Sequence, residues 1–240
     1  MKNQGKNASP LFKGMSQSRE ATLFYGESVD LFAQIVKKNF VPGTYTLADL
    51  GGNKGEFLSK VTEKLPEYSF KSYVVDVNLG IEIGLNAEKI DGNILENKFE
   101  DKSIDIVFLR YALSWNPFDK QKDVLKEVSR ICKGVTIIQH QGYNDVQISE
   151  QDKVFSKIFD GRIPEIARND YFPTNLSQVE KWMSELGLRF SRVQNRKVEN
   201  ISNLFIEKYR LNEKDAQLIK DILSGCDYLM QTCWVLDFRN

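Results

Sequence analysis

The chain has 240 residues, with 33 basic and 33 acidic side chains and a formal net charge of +0. That balance excludes broad electrostatic capture of nucleic acid and leaves room only for a local basic patch. The single histidine, His140, excludes a zinc site built on several histidines and forces any Ser-His-Asp or Cys-His mechanism through one residue. Hydrophobic residues at 41% and charged residues at 28% make an ordinary soluble globular mixture, and the length fits one domain or a domain carrying an insertion. Cys132, Cys226 and Cys233 are odd in number and form no C-x-x-C pair. They argue against a disulfide framework or zinc cluster and fit a reducing compartment. The opening residues lack the apolar core of a signal peptide, and no run approaches the ~18 apolar residues of a membrane span. The expectation is a soluble cytoplasmic protein.

Residues 1–26 read as an N-terminal tail or flap, polar at first and punctuated by Gly5, Pro10 and Gly14. From Glu27 the apolar spacing of Val29, Leu31, Phe32, Ile35 and Val36 predicts a helix that Pro42-Gly43 ends. TYTLADL (44–50) predicts a buried strand, and a glycine-rich turn follows at 51–55. Phe57, Leu58, Val61 and Leu65 share one face of the next helix, which stops at Pro66. The alternation continues with strands at 70–77 and 103–110, a helix carrying Val124, Leu125, Val128 and Ile131, and a strand at 134–140. Strands alternating with helices predict a Rossmann-like, doubly wound, mostly parallel sheet. Residues 141–176 break the pattern, being polar with scattered aromatics and arginines, and are expected to insert a helical substrate lid into the 27–240 domain. Ser177 to Glu180 has capping-box spacing ahead of Val179, Trp182, Met183 and Leu186, and Gly187 closes that helix. A helix with Leu218, Ile219, Ile222 and Leu223 separates two late strands, 189–198 and 226–238, which suggest an antiparallel addition at the edge of a seven-stranded sheet.

The informative segment is Asp49-Leu-Gly51-Gly52-Asn53-Lys54-Gly55. Glycine lets backbone approach a ligand closely, and the helix that follows offers free N–H groups. About twenty residues on, Asp76 ends the second strand, where an acidic group can accept from both hydroxyls of a ribose. Together these make an adenosine half-site. The dinucleotide fingerprint G-x-G-x-x-G fails, because Asn53 and Glu56 stand at its second and third glycines. Asp49 before the turn repels a pyrophosphate and suits an ammonium or sulfonium, which favours S-adenosylmethionine.

From Tyr45 to Gln141 the chain resembles the class I S-adenosylmethionine-dependent methyltransferases. LADLGGNKGEFL resembles that family's first motif, a strand leading into D-x-G-x-G-x-G. VVDVN resembles the second, Gly92-Asn93-Ile94 and Phe99 to Val107 the third and fourth, and Leu109 to Trp115 the segment leaving the fourth strand. The resemblance implies a cofactor site of Tyr25, Asp49, Gly51, Gly52, Asn53, Gly55, Asp76, Val77, Asn93, Ile94 and Arg110. Within it Asp76 would hold ribose, Asn93 and the next amide would meet adenine, and Tyr25 would close the site. Three departures stand out: Asn53 replaces the middle glycine, Asn93 replaces the usual Asp, and the stretch from Asn78 to Asp91 is short for the usual helix.

The reaction implied is methyl transfer to O, N or C of a small-molecule acceptor, with S-adenosylhomocysteine as product and no metal. His140, at the end of the fifth strand, is the candidate general base; a histidine held by backbone groups is the alternative. Trp115, Tyr143, Arg162, Arg168, Tyr171 and Phe172 are candidate acceptor contacts, arginines suiting a carboxylate or phosphate. Asn116-Pro117-Phe118 resembles only in part the amino-methylating motif of nucleic-acid enzymes, so base methylation is not expected. Asp105 reads as a structural residue. Two other readings remain, a non-catalytic methyltransferase-like module and an NAD(P)-dependent oxidoreductase.

Overall fold

The computed structural model describes residues 19–77, 87–142, 174–200, 202–203, 206 and 211–239, and for 19–25 and 229 the backbone alone. Helix α1 (Arg19–Asn39) begins ahead of Glu27 and buries Val29, Phe32, Ala33, Ile35 and Val36. The Asn39 amide donates to the Ile35 carbonyl at 2.8 Å where the helix ends. Strand β1 (Thr44–Leu50) runs from exposed to buried, and α2 (Glu56–Glu63) leaves the glycine turn with Phe57, Leu58 and Val61 inward. Then follow β2 (Ser69–Asp76), β3 (Ala87–Asp91), β4 (Ile104–Arg110), α3 (Phe118–Ile131) and β5 (Cys132–Gly142). The chain continues through α4 (Leu176–Glu185), β6 (Phe190–Glu199), α5 (Glu213–Leu223) and β7 (Tyr228–Asp237).

The seven strands are ordered β3-β2-β1-β4-β5-β7-β6. β1 to β5 pair in parallel, and β7 pairs antiparallel with both β5 and β6. The doubly wound fold expected from the sequence is the one observed, with the antiparallel strand one place in from the edge. Two apolar layers cover the faces. On one, α1 and α2 pack Phe32, Phe57 and Leu58 over Leu47, Val74, Phe108, Ile137 and Cys233. Phe32 meets Phe57 and Phe108 edge-on at centroid distances of 4.9 and 5.0 Å. On the other, α3 and α4 pack Val124, Val128, Val179 and Met183 over Leu50, Leu109, Ile138 and Trp234. β1, β4 and β5 therefore read as near-continuous apolar runs, as strands covered on both faces must.

Two local expectations change. Asn175, not Ser177, caps α4, its Oδ1 accepting from the Ser177 N–H at 3.0 Å. β3, absent from the sequence reading, is a polar edge strand, AEKID. The short stretch before it, 78–86, lies outside the described residues, as do residues 1–18 of the tail. Of the expected lid, Gln141 and Gly142 finish β5, Thr174 bridges to Gly142, and Leu176 opens α4; residues 143–173 lie outside the described residues.

Candidate active site

The glycine turn leaves the carboxyl end of β1, where the strands of an open α/β sheet present ligands. Gly51, Asn53 and Gly55 have φ of 74°, 51° and 75°, so the departure at Asn53 keeps a left-handed conformation that Asn tolerates. A Cβ on Gly51 would lie 2.7 Å from Ala112 Cβ, and one on Gly52 would lie 2.6 Å from Asp49 Oδ2. Both glycines are required by space. The turn is pinned to β2 twice: Gly51 N–H donates to the Val75 carbonyl at 2.8 Å, and Asn53 N–H donates to Asp76 Oδ2 at 2.9 Å.

Asp49 is 2% exposed, and its Oδ2 has no hydrogen-bond partner. Burial pushes its carboxyl up to about 7, Arg110 opposing and Asp76 adding to the shift. A buried acceptor without a donor is costly unless a ligand supplies one. Asp49 and the close approach at Gly52 thus fit a cationic group laid on the turn.

The remaining cofactor candidates lie nearby. Asn93 caps the short turn Ile94–Glu96, its Oδ1 accepting from Leu95 N–H at 3.0 Å, so the oxygen expected to meet an adenine amine already serves the backbone. Ile94 is buried and stands 3.8 Å from the position of a Gly51 Cβ. Gly92 N–H donates to the Asp76 carbonyl at 3.1 Å, tying this segment to β2. Val77 is 59% exposed beside Asp76, an apolar surface left at a strand end. The Arg110 guanidinium lies 4.4 Å over the Phe57 ring and 5.0 Å over Tyr111. The side chain of Tyr25, and the whole of Tyr143, Arg162, Arg168, Tyr171 and Phe172, lie outside the described residues. Trp115 is half-buried on the turn Leu113–Trp115. Asn116 is buried with its amide given to the Ala112 carbonyl at 2.9 Å, a turn contact. Asp105 takes the structural role expected, Oδ2 accepting from Thr46 N–H at 2.9 Å and Thr46 Oγ1 at 2.7 Å.

Strand alternation decides which faces these side chains occupy. Leu47, Val74, Phe108 and Ile137 pack under α1 and α2, so Asp49, Asp76, Arg110 and Gln139, each two residues further on, point to that same face. Gln231 joins them from β7, two residues before Cys233, and Arg196 lies opposite Gln231 on β6. Sequence reasoning missed Gln139, Gln231 and their neighbour Tyr111; the available signal was a glutamine on the apolar face of each of two buried strands. His140 follows Ile138 onto the opposite face, its ring 6.5 Å from that of Trp234. It is 1% exposed, with Nε2 3.4 Å from the Thr174 carbonyl and Nδ1 without a partner. Burial pulls its pKa down to about 4, the Thr174 carbonyl opposing. Cys132, Cys226 and Cys233 are buried and form no disulfide with one another, and no cluster of metal-ligating side chains occurs among the described residues.

No family model matches the sequence, and no curated relative matches it. Solved structures do match. The YcgJ protein from Bacillus subtilis superposes with a TM-score of 0.63 over 88% of this chain and 98% of its own, at 13% identity. Geranyl diphosphate methyltransferase in complex with S-adenosylmethionine gives 0.57 over 86% and 84%, at 15% identity. Loganic acid methyltransferase with S-adenosylhomocysteine gives 0.57 over 90% and 93%, at 12% identity. The chain has the fold of the class I S-adenosylmethionine-dependent methyltransferases.

Proposed function

We propose that the chain binds S-adenosylmethionine at the β1 turn and transfers its methyl group to O, N or C of a small molecule. The observation that carries this reading is the pairing of Asp49 and Asp76 on one face around a glycine turn with no room for side chains. Fold neighbours solved with S-adenosylmethionine and S-adenosylhomocysteine support it. Asn53 N–H donates to Asp76, and an acidic group at this strand end suits a ribose diol. Asp49 faces the cationic end, and Asn93, Ile94 and Val77 border the adenine.

The bound cofactor supplies a methyl already activated by a sulfonium. What the chain must do is hold the acceptor in line with it, a contribution that can reach about 7–11 kcal/mol in good cases. A base is needed only where the acceptor must lose a proton. Burial of His140 on the face opposite Asp49 and Asp76 supports a packing role for it better than the catalytic one. Trp115, Tyr143, Arg162, Arg168, Tyr171 and Phe172 are proposed to border the acceptor. Among the described residues no helix is long and apolar enough to cross a membrane, and three cysteines without a disulfide fit the cytoplasm.

Thermal shift with S-adenosylmethionine, S-adenosylhomocysteine and NADH tests the reading. Stabilisation by the first two is expected. Stabilisation by NADH alone would overturn it in favour of an oxidoreductase, and binding without methylation of any acceptor would favour the non-catalytic module.

A further inference from the structure

The polar row that begins at Asp76 and Asp49 does not stop at the proposed cofactor half. It continues across the sheet on the same face through Arg110, Gln139, Gln231 and Arg196. Gln139 stands in it on β5. It is 1% exposed, yet neither its Nε2 nor its Oε1 has a hydrogen-bond partner. A buried carboxamide with both ends unmet is rare, because each loses its water and gains nothing. Gln231 donates to the Tyr111 hydroxyl, and Tyr111 N–H donates to the Gln139 carbonyl at 2.7 Å, which locks β4 against β5 beside the orphan amide.

We propose that Gln139 is the specificity-determining residue for the methyl acceptor and reads a neutral group presenting a donor beside an acceptor, as in a carboxamide or lactam edge. This rests on the cofactor reading above. A cofactor spanning β2 and the β1 turn leaves β4 and β5 as the next strands for its acceptor, and Gln139 is the buried, unmet polar group there. A carboxamide offers N–H and C=O side by side, so the group that satisfies both must do the same. Charge argues against an anionic acceptor. The Arg196 cation is already paired with Glu27, and Arg110 shares its surroundings with Asp49. An anion here would compete with Glu27 for Arg196 and lie close to Asp49 at Arg110.

The test is thermal shift of the full chain saturated with S-adenosylhomocysteine, using benzamide and 2-pyridone against benzoate and phenyl phosphate. The neutral pair should raise the melting temperature further and the anions should not. Gln139→Leu, of similar volume, removes the unmet amide. It should melt higher than wild type without ligand, keep the S-adenosylhomocysteine shift, and lose the benzamide and 2-pyridone shift. Absence of any shift with the neutral pair in wild type, a preference for the anions, or a shift that survives Gln139→Leu overturns the proposal. Failure of S-adenosylhomocysteine itself to stabilise the wild-type chain would instead overturn the cofactor reading, so the two failures are separable.

Discussion

The backbone N–H of Asn53 donates to Asp76 Oδ2 at 2.9 Å, so the residue that departs from the glycine pattern is held by the residue assigned to the ribose. Turn and ribose ligand form one unit. Asp76→Ala removes the acceptor of that bond as well as the proposed ribose contact. Charge-assisted hydrogen bonds contribute about 1.5–3 kcal/mol each. Loss of S-adenosylhomocysteine affinity should therefore be roughly tenfold to a hundredfold or more, read by calorimetric titration. Unchanged affinity would refute the ribose role.

Asp49 makes binding of a cation pH-dependent. Burial raises its folded carboxyl to about 7 from the ordinary 3.8, so between those values the folded chain holds a proton that the unfolded chain has released. Stability contributed there is lost as pH rises, up to on the order of 4 kcal/mol. A cation on Asp49 favours the ionised form, so binding S-adenosylmethionine at pH 6 should release a proton. Titration in two buffers of different ionisation enthalpy measures it, and Asp49→Asn should abolish the difference between buffers.

His140 has the opposite sign. Its folded pKa is near 4 against 6.5, so between those values the unfolded chain binds the extra proton and the folded chain loses stability as pH falls. The scale is on the order of 3 kcal/mol, fully expressed only below pH 4. His140→Gln should flatten acid denaturation between pH 6.5 and 4. At pH 8 it should leave turnover within a few-fold of wild type. A hundredfold loss of turnover with the Tm unchanged would restore His140 as the base.

Gly52→Ala places a methyl 2.6 Å from Asp49 Oδ2 and 3.0 Å from Val74 Cγ1. Destabilisation of about 1–3 kcal/mol is expected in denaturant titration. Asp49→Ala in the same chain should relieve part of it and not the part due to Val74. Simple additivity of the two substitutions would show that the carboxylate and the turn do not press on each other.

Much of this was legible in the chain. β1, β4 and β5 stand out because both faces are covered and apolar residues run almost unbroken, and β2 by its buried Val74-Val75 end. β3 escaped because Glu88, Lys89 and Asp91 are exposed on a sheet edge. Asn175 escaped as a cap because Ser177 offers the commoner spacing, and only backbone geometry chooses between them. The glycine turn, Asp49 and Asp76 were readable as a local pattern with one long step. Gln139 and Gln231 were not, because their meeting on one face depends on β7 entering beside β5, a pairing of distant segments that no local pattern encodes. His140 was placed at the right strand end, but its face follows from which side Ile138 packs.

β7 hydrogen-bonds along both its edges, to β5 on one side and β6 on the other, yet it follows both in sequence. A ribosome making this chain releases β5 and β6 well before the strand that joins them. Until residues 228–237 emerge, β5 carries an unpaired apolar edge and β6 has no neighbour in the sheet. The half-made sheet is thus a template for any passing strand. The sheet stays incomplete until those residues are made, and a chain broken off before them is an aggregation-prone product, not a smaller working domain.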